Sequence, residues 1–110
     1  MEEVKKSSLV GTGRPGDMIE YQEGSVVSRA LISRPAGNIT LFAFAEGEGL
    51  SEHTAPFDAL VHVLDGRAQI SIDAEVHTVE AGEMLLMPAN HPHALKAVEK
   101  FKMMLIMIKE

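Results

Sequence analysis

This sequence predicts an all-β domain, and three observations predict it. From Gly24 onward, short runs rich in β-branched and aromatic residues alternate with turn signals. Arg67–Asp73 alternates cleanly, with Ala68, Ile70 and Ile72 on one face and Arg67, Gln69, Ser71 and Asp73 on the other. Leu60–Leu64 and Phe101–Ile108 are instead apolar on both faces, apart from His62 and Lys102, as strands are when a second sheet or another subunit covers them. Many short strands with two-sided burial fit a closed or sandwiched sheet such as a jelly roll.

Taken in order, residues 1–23 are polar and punctuated by Gly11, Gly13, Pro15 and Gly16, which predicts an irregular N-terminal arm ahead of a barrel over residues 24–110. Strands are expected at Ser25–Ser33 and Ile39–Glu46, separated by Pro35-Ala-Gly37-Asn38 and closed by Gly47-Glu-Gly49. Asp65-Gly66 reads as a hairpin turn between Ala59–Leu64 and Arg67–Asp73. Ala81-Gly82-Glu83 reads as the turn from Val76–Glu80 into Met84–Pro88. No helix of useful length survives this punctuation, and there is no internal repeat.

A chain of 110 residues makes one domain with a single core. It contains no cysteine, so disulfides, thiolate catalysis, iron–sulfur clusters and zinc fingers are excluded, and any metal must be held by nitrogen and oxygen. The net charge of -6 repels phosphate backbones, and no basic cluster exceeds Lys5-Lys6, so nucleic acid is not an expected partner. The longest apolar runs are far below the ~20 residues of a membrane span. Met1-Glu-Glu-Val-Lys-Lys has no apolar segment behind it and does not read as a secretory signal, so a cytoplasmic location is expected. Strands apolar on both faces in so small a chain predict a symmetric partner, a homodimer.

Two local patterns carry little. Gly11-Thr-Gly13-Arg-Pro-Gly16 matches G-x-G-x-x-G but lacks the strand before it and the helix after it that phosphate binding needs. Asn38-Ile-Thr40 is formally a glycosylation acceptor with no secretory signal to bring it to the enzyme.

Two longer segments carry more. The first runs Gly47-Glu-Gly-Leu-Ser-Glu-His53-Thr-Ala55-Pro-Phe57-Asp58-Ala59 and on to Gly66. The second runs Gly82-Glu-Met84-Leu-Leu-Met87-Pro88-Ala-Asn90-His91-Pro92-His93 and on to Ala97. Their spacing resembles the two motifs of the cupin family, G-x5-H-x-H-x3-E-x6-G and G-x5-P-x-G-x2-H-x3-N. Gly47, His53, Gly66, Gly82, Pro88 and His93 fall on motif positions. Ala55 stands for the second histidine, Ala59 for the glutamate, Asn90 for the glycine and Ala97 for the asparagine. The resemblance implies a small single-domain cupin, a jelly-roll barrel in which His53 and His93 point into one mouth and hold a divalent transition metal. Iron, nickel, zinc, copper and manganese are the candidates.

With only two of the family's ligands present, such a metal would bind weakly or at partial occupancy. His91 is a third candidate: it lies two residues from His93, and Pro92 favours an extended chain between them, so both rings could face one way. Its bland reading is a surface loop residue. Glu52 and Asp58 neighbour ligand positions and should face away. His62 is out of phase with Ala59, so packing on an outer face is expected, and His77 carries no signal. Ala55 and Ala59 would leave room in the pocket, with Phe57 and Met84 among its walls, alongside Phe42, Phe44, Met87, Met103 and Met107 as soft or plain core residues. Two functions follow: a module that binds a small molecule around His53 and His93 with metal weak or absent, and a metal-dependent enzyme of the oxygenase or isomerase class using the same histidines.

Overall fold

A computed structural model describes residues 11–109. Eight strands follow in order: β1 (Val26–Arg34), β2 (Gly37–Phe44), β3 (Gly49–His53), β4 (Asp58–Ile72), β5 (Glu75–Glu80), β6 (Met84–Met87), β7 (His93–Lys96) and β8 (Phe101–Ile108). Among the described residues the only helical piece is a 3-10 turn, Pro15–Asp17. All pairings are antiparallel. The first part of β4 pairs with β8 and β6, extending a layer of order β1-β2-β8-β4-β6. Its second part pairs with β5 and β7, and β7 pairs with β3, which makes the opposing layer. The all-β jelly-roll expectation therefore holds.

One long strand serving both layers corrects the sequence reading at Asp65-Gly66. No hairpin forms there: β4 runs through, and the register against β8 shifts between Val63 and Asp65. Gly66 takes φ +76° and turns the strand from one layer into the other, as a bulge at a barrel corner does. The true hairpin turn is Asp73-Ala74, with φ 53° and 70°, joining β4 to β5. Two successive positive φ values make the tight turn that suits twisted strands, and alanine there gives no warning of it. Ala81-Gly82-Glu83 does turn β5 into β6, as expected.

Between the layers lies one core of alternating inward residues. Phe44, Val61, Val63, Ala68, Ile70 and Phe101 are fully buried, and the Phe44 and Phe101 rings stack at 4.5 Å. Outside the first layer, a smaller cluster forms where Ile19, with Met18 and Tyr21 beside it, covers Leu41 and Ala43. This N-terminal lead-in packs on its own sheet through Met18, Ile19 and Tyr21; residues 1–10 lie outside the described part.

Polar contacts pin this lead-in. Arg29 donates to the Met18 carbonyl at 2.9 Å and Lys102 to that of Gly16 at 2.7 Å. The Tyr21 hydroxyl donates to Asp65 at 2.5 Å, and burial, then the Asp65 carboxylate, hold that phenol well above its ordinary range. Ile19 is only 5% exposed, so Ile19→Ala is expected to cost about 2–3 kcal/mol in urea unfolding, as for other buried aliphatic truncations. A loss within a few tenths would mean that the lead-in does not pack.

Candidate functional site

His53 ends β3, His93 opens β7, and the two are direct register partners. Simple alternation would turn His53 away from the face that Leu50 presents to the core. The register irregularity between Leu50 and His53 supplies the extra residue that brings the ring back inward. The Nε2 atoms of the two rings lie 3.1 Å apart, with centroids at 4.3 Å and planes inclined by 68°. His93 is buried, whereas His53 stands at the open side.

Each ring is held from behind. His53 Nδ1 lies 2.7 Å from the Ser51 carbonyl, and His93 Nδ1 lies 3.1 Å from the His91 carbonyl. A carbonyl oxygen only accepts, so each neutral ring carries its proton on Nδ1 and turns a lone pair outward on Nε2. Two lone pairs aimed at one another repel, and a proton or a cation placed between them reverses the sign. Backbone carbonyls orient metal-binding histidines in this same manner. Two nitrogens on adjacent positions of one ion, each about 2.1 Å from it, would stand about 3 Å apart. The pair therefore fits one side of an ion's coordination shell.

The rest of that shell is missing. Among the described residues, no group of three or more His, Cys, Asp or Glu side chains converges. His91 is not brought to the pair: its ring turns outward and meets Asp73 at 2.7 Å, and only its carbonyl serves His93. Asp58 faces outward and accepts from the Ala89 N–H at 2.8 Å. Asn90 adopts φ 69°, so it keeps the left-handed backbone where the motif has glycine, and its N–H donates to the Ala55 carbonyl at 2.8 Å. That bond ties the loop before His93 to the segment after His53.

Ala55, Phe57 and Ala59 line a cavity of about 60 Å³ together with His53 and His93. Met84 does not: it is 63% exposed on the outer side of β6, opposite His62. Strand alternation turns Met87 inward instead, and Met103, Met107, Leu50, Leu95 and Leu105 complete the wall. Phe42 and Phe44 are plain core. The leucines carried no signal, because an apolar residue on a two-sided strand reads the same whether it faces a cavity or a packed neighbour. The space freed by the alanines is largely taken by thioethers and aliphatic side chains. About 60 Å³ is less than half the ~150 Å³ that accommodates benzene, so the cavity takes only a few heavy atoms.

A larger hollow, about 460 Å³, lies on the outer side of the second layer, among Glu48, Ser51, Gln69, Ser71 and Lys96. It is open and has no pair of converging donors like the two imidazoles.

The cupin domain model matches residues 40–109, and the chain belongs to the cupin family. A conserved protein of unknown function from Streptococcus pyogenes is 36% identical, with a TM-score of 0.87 over 92% of this chain and 89% of that one. A cupin superfamily protein from Desulfitobacterium hafniense is 32% identical, with a TM-score of 0.87 over 92% and 93%. A cupin 2 conserved barrel domain protein from Leptotrichia buccalis is 45% identical, with a TM-score of 0.83 over 86% of this chain and 46% of that longer one. No curated protein matches the chain. No helix among the described residues is long and apolar enough to cross a membrane.

Proposed function

We propose that this cupin is a binding module whose site is the His53–His93 pair, with a divalent metal bound weakly or not at all. The observation that carries the reading is the donor count: two imidazole nitrogens converge, and the positions where a third and fourth ligand would stand are Ala55 and Ala59. The remaining wall is methyl, thioether and phenyl, so desolvation favours a ligand that is mostly apolar with one polar end. That end must donate a proton or carry positive charge, because it meets two lone pairs. The cavity limits the ligand to a few heavy atoms unless a longer molecule extends through the His53 side. An acidic, cysteine-free chain suits a cytoplasmic setting.

The alternative reading is a metal-dependent enzyme of the oxygenase or isomerase class that uses His53 and His93. What favours it is the locked Nδ1–H of both rings, which leaves both Nε2 atoms ready for an ion. A divalent ion there would supply Lewis-acid or oxygen-activating chemistry. The chain's own part would be to orient the two nitrogens and exclude water with Met87, Met103 and Leu105.

Metal analysis of protein purified without an affinity tag separates the two readings. The binding module is expected to carry far less than one metal per chain. Its affinity for added nickel or zinc should fall far below the roughly 10–16 kcal/mol of four-ligand structural zinc sites. Stoichiometric metal that survives dialysis would overturn it in favour of the enzyme.

A further inference from the structure

We propose that the cavity takes a cuprous ion, held by the Nε2 atoms of His53 and His93 together with a thioether sulfur of Met87 or Met107; this rests on the reading of the histidine pair as the binding site and names the ion it takes. Ala59 is the register partner of Met87 on β6 and of Met107 on β8. All three turn inward and line the same cavity as the two imidazoles. A thioether from each neighbouring strand therefore stands beside the position where the family motif has its carboxylate. The lack of cysteine removes thiolate sulfur from this chain but not thioether sulfur, so the expectation that only nitrogen and oxygen can hold a metal was too narrow.

The donor set selects the ion. Thioether sulfur is a soft ligand of the kind that favours Cu(I), and imidazole suits copper as well, whereas magnesium, calcium and manganese call for oxygen. Among the described residues no carboxylate lines this cavity. The cost of taking an ion out of water grows with the square of its charge, so within a wall of methyl and thioether groups a divalent ion incurs about four times the cost of a monovalent one. Cuprous ion also has a filled d shell and accepts low coordination numbers, so it does not need the third and fourth ligands that Ala55 and Ala59 fail to supply.

The geometry fits it. The two Nε2 atoms lie 3.1 Å apart and turn their lone pairs to one place, because the Ser51 and His91 carbonyls hold the Nδ1 protons behind them. Methionine has three rotatable side-chain bonds, so a sulfur on either side can swing across the short Ala59 side chain toward that place without moving its strand. Met87 is only 4% exposed, so little water reaches its thioether to be displaced. A cavity of about 60 Å³ takes a bare ion but not one that keeps a shell of waters, and entry is from the open side at His53. As plain core the same methionines would only fill space, which leucine would fill as well. Sulfur is what leucine lacks.

Anaerobic titration of the full chain with Cu(I), in competition with the chromophoric chelator bicinchoninate, is expected to give a single ion per chain, held at least about a thousandfold more tightly than Ni(II) or Zn(II) measured by calorimetry. Air is kept out because dioxygen takes an electron from the ion and leaves the divalent state, which these donors hold weakly. Met87→Leu combined with Met107→Leu keeps the volume of the wall and should weaken Cu(I) at least about tenfold, while affinity for Ni(II), set by the imidazoles, stays unchanged. Met84→Leu, on the outer side of β6, should change neither. In selenomethionine-labelled protein, X-ray absorption at the copper edge should show selenium bound to the ion. Circular dichroism checks that each variant folds. A parent protein that holds Cu(I) no more tightly than Ni(II), a double leucine variant that holds it as the parent does, or a copper edge without selenium overturns the proposal and leaves His53 and His93 as the site. His53→Ala combined with His93→Ala should abolish Cu(I) binding, and undiminished binding there would overturn the pair itself as the site.

Discussion

Ala55→His combined with Ala59→Glu is expected to raise the affinity for nickel or zinc by orders of magnitude over the parent protein. Both alanines line the cavity with His53 and His93, so the new side chains would add a nitrogen and a carboxylate to the two nitrogens already converging there. Each replaces a water on the ion with a group the barrel already holds, and the gain in the order of divalent metals should favour nickel or copper at least as much as manganese. Without metal the same variant should be less stable than the parent. The cavity is only about 60 Å³, and pushing a larger side chain against Met87, Met103 and Met107 costs about 1–3 kcal/mol.

Metal then reverses the sign. Free ion at 100 times the dissociation constant returns roughly 2.7 kcal/mol to the folded state. A matched control, Thr54→His with Asp58→Glu, places an imidazole and a lengthened carboxylate one residue earlier at each place. Thr54 is exposed, and Asp58 faces outward to the Ala89 N–H, so the control should leave metal affinity unchanged. Calorimetric titration of the three folded proteins decides it: equal affinities in parent and restored variant would show that positions 55 and 59 do not share a site with the histidines.

How much of this was legible beforehand depended on what kind of physics each residue obeys. Gly47, His53, Gly82, Pro88 and His93 are read by spacing, and the structure does bring His53 and His93 to 3.1 Å. Alternation placed Ala68, Ile70 and Ile72 on the core side for the same local reason. What escaped were features set by distant partners. Met84 and Met87 are alike in chemistry, and only the pairing of Met84 with His62 on the outer face separates them. His91 could extend toward His93 by local geometry, but Asp73, brought near by the β4–β5 turn, takes its ring. Asp65-Gly66 was the plainest misreading. A positive φ is needed at a hairpin turn and at a strand corner alike, so the dipeptide cannot tell them apart.

Gly66→Ala is expected to be among the most destabilising single changes in the chain, and the reason lies in that corner. Gly66 sits at φ +76°, which any side chain resists, and an added Cβ would lie 2.1 Å from the Lys100 carbonyl oxygen and 3.0 Å from the Phe101 Cα. Those atoms lie where the chain enters β8, and backbone there cannot swing aside as a flexible side chain could, since Gly66 and Phe101 are register partners. Gly82 separates the two costs. It has φ +92° but nothing within 4 Å of its would-be Cβ, so Gly82→Ala should show conformational strain alone, on the order of 1 kcal/mol. Gly66→Ala should add the clash to the strain and lose about 3 kcal/mol or more, toward the tail of single-residue effects. The site should feel it too, because the part of β4 beyond Gly66 carries β7 through the Ile72–His93 pairing, whereas the part before it carries Ala59. A corner forced open moves those two halves relative to one another, so the hydrogen-exchange protection of the His93 and Ala94 amides should fall together with the urea midpoint. Equal losses for Gly66→Ala and Gly82→Ala would show that the corner absorbs a Cβ freely and that its glycine serves conformation only.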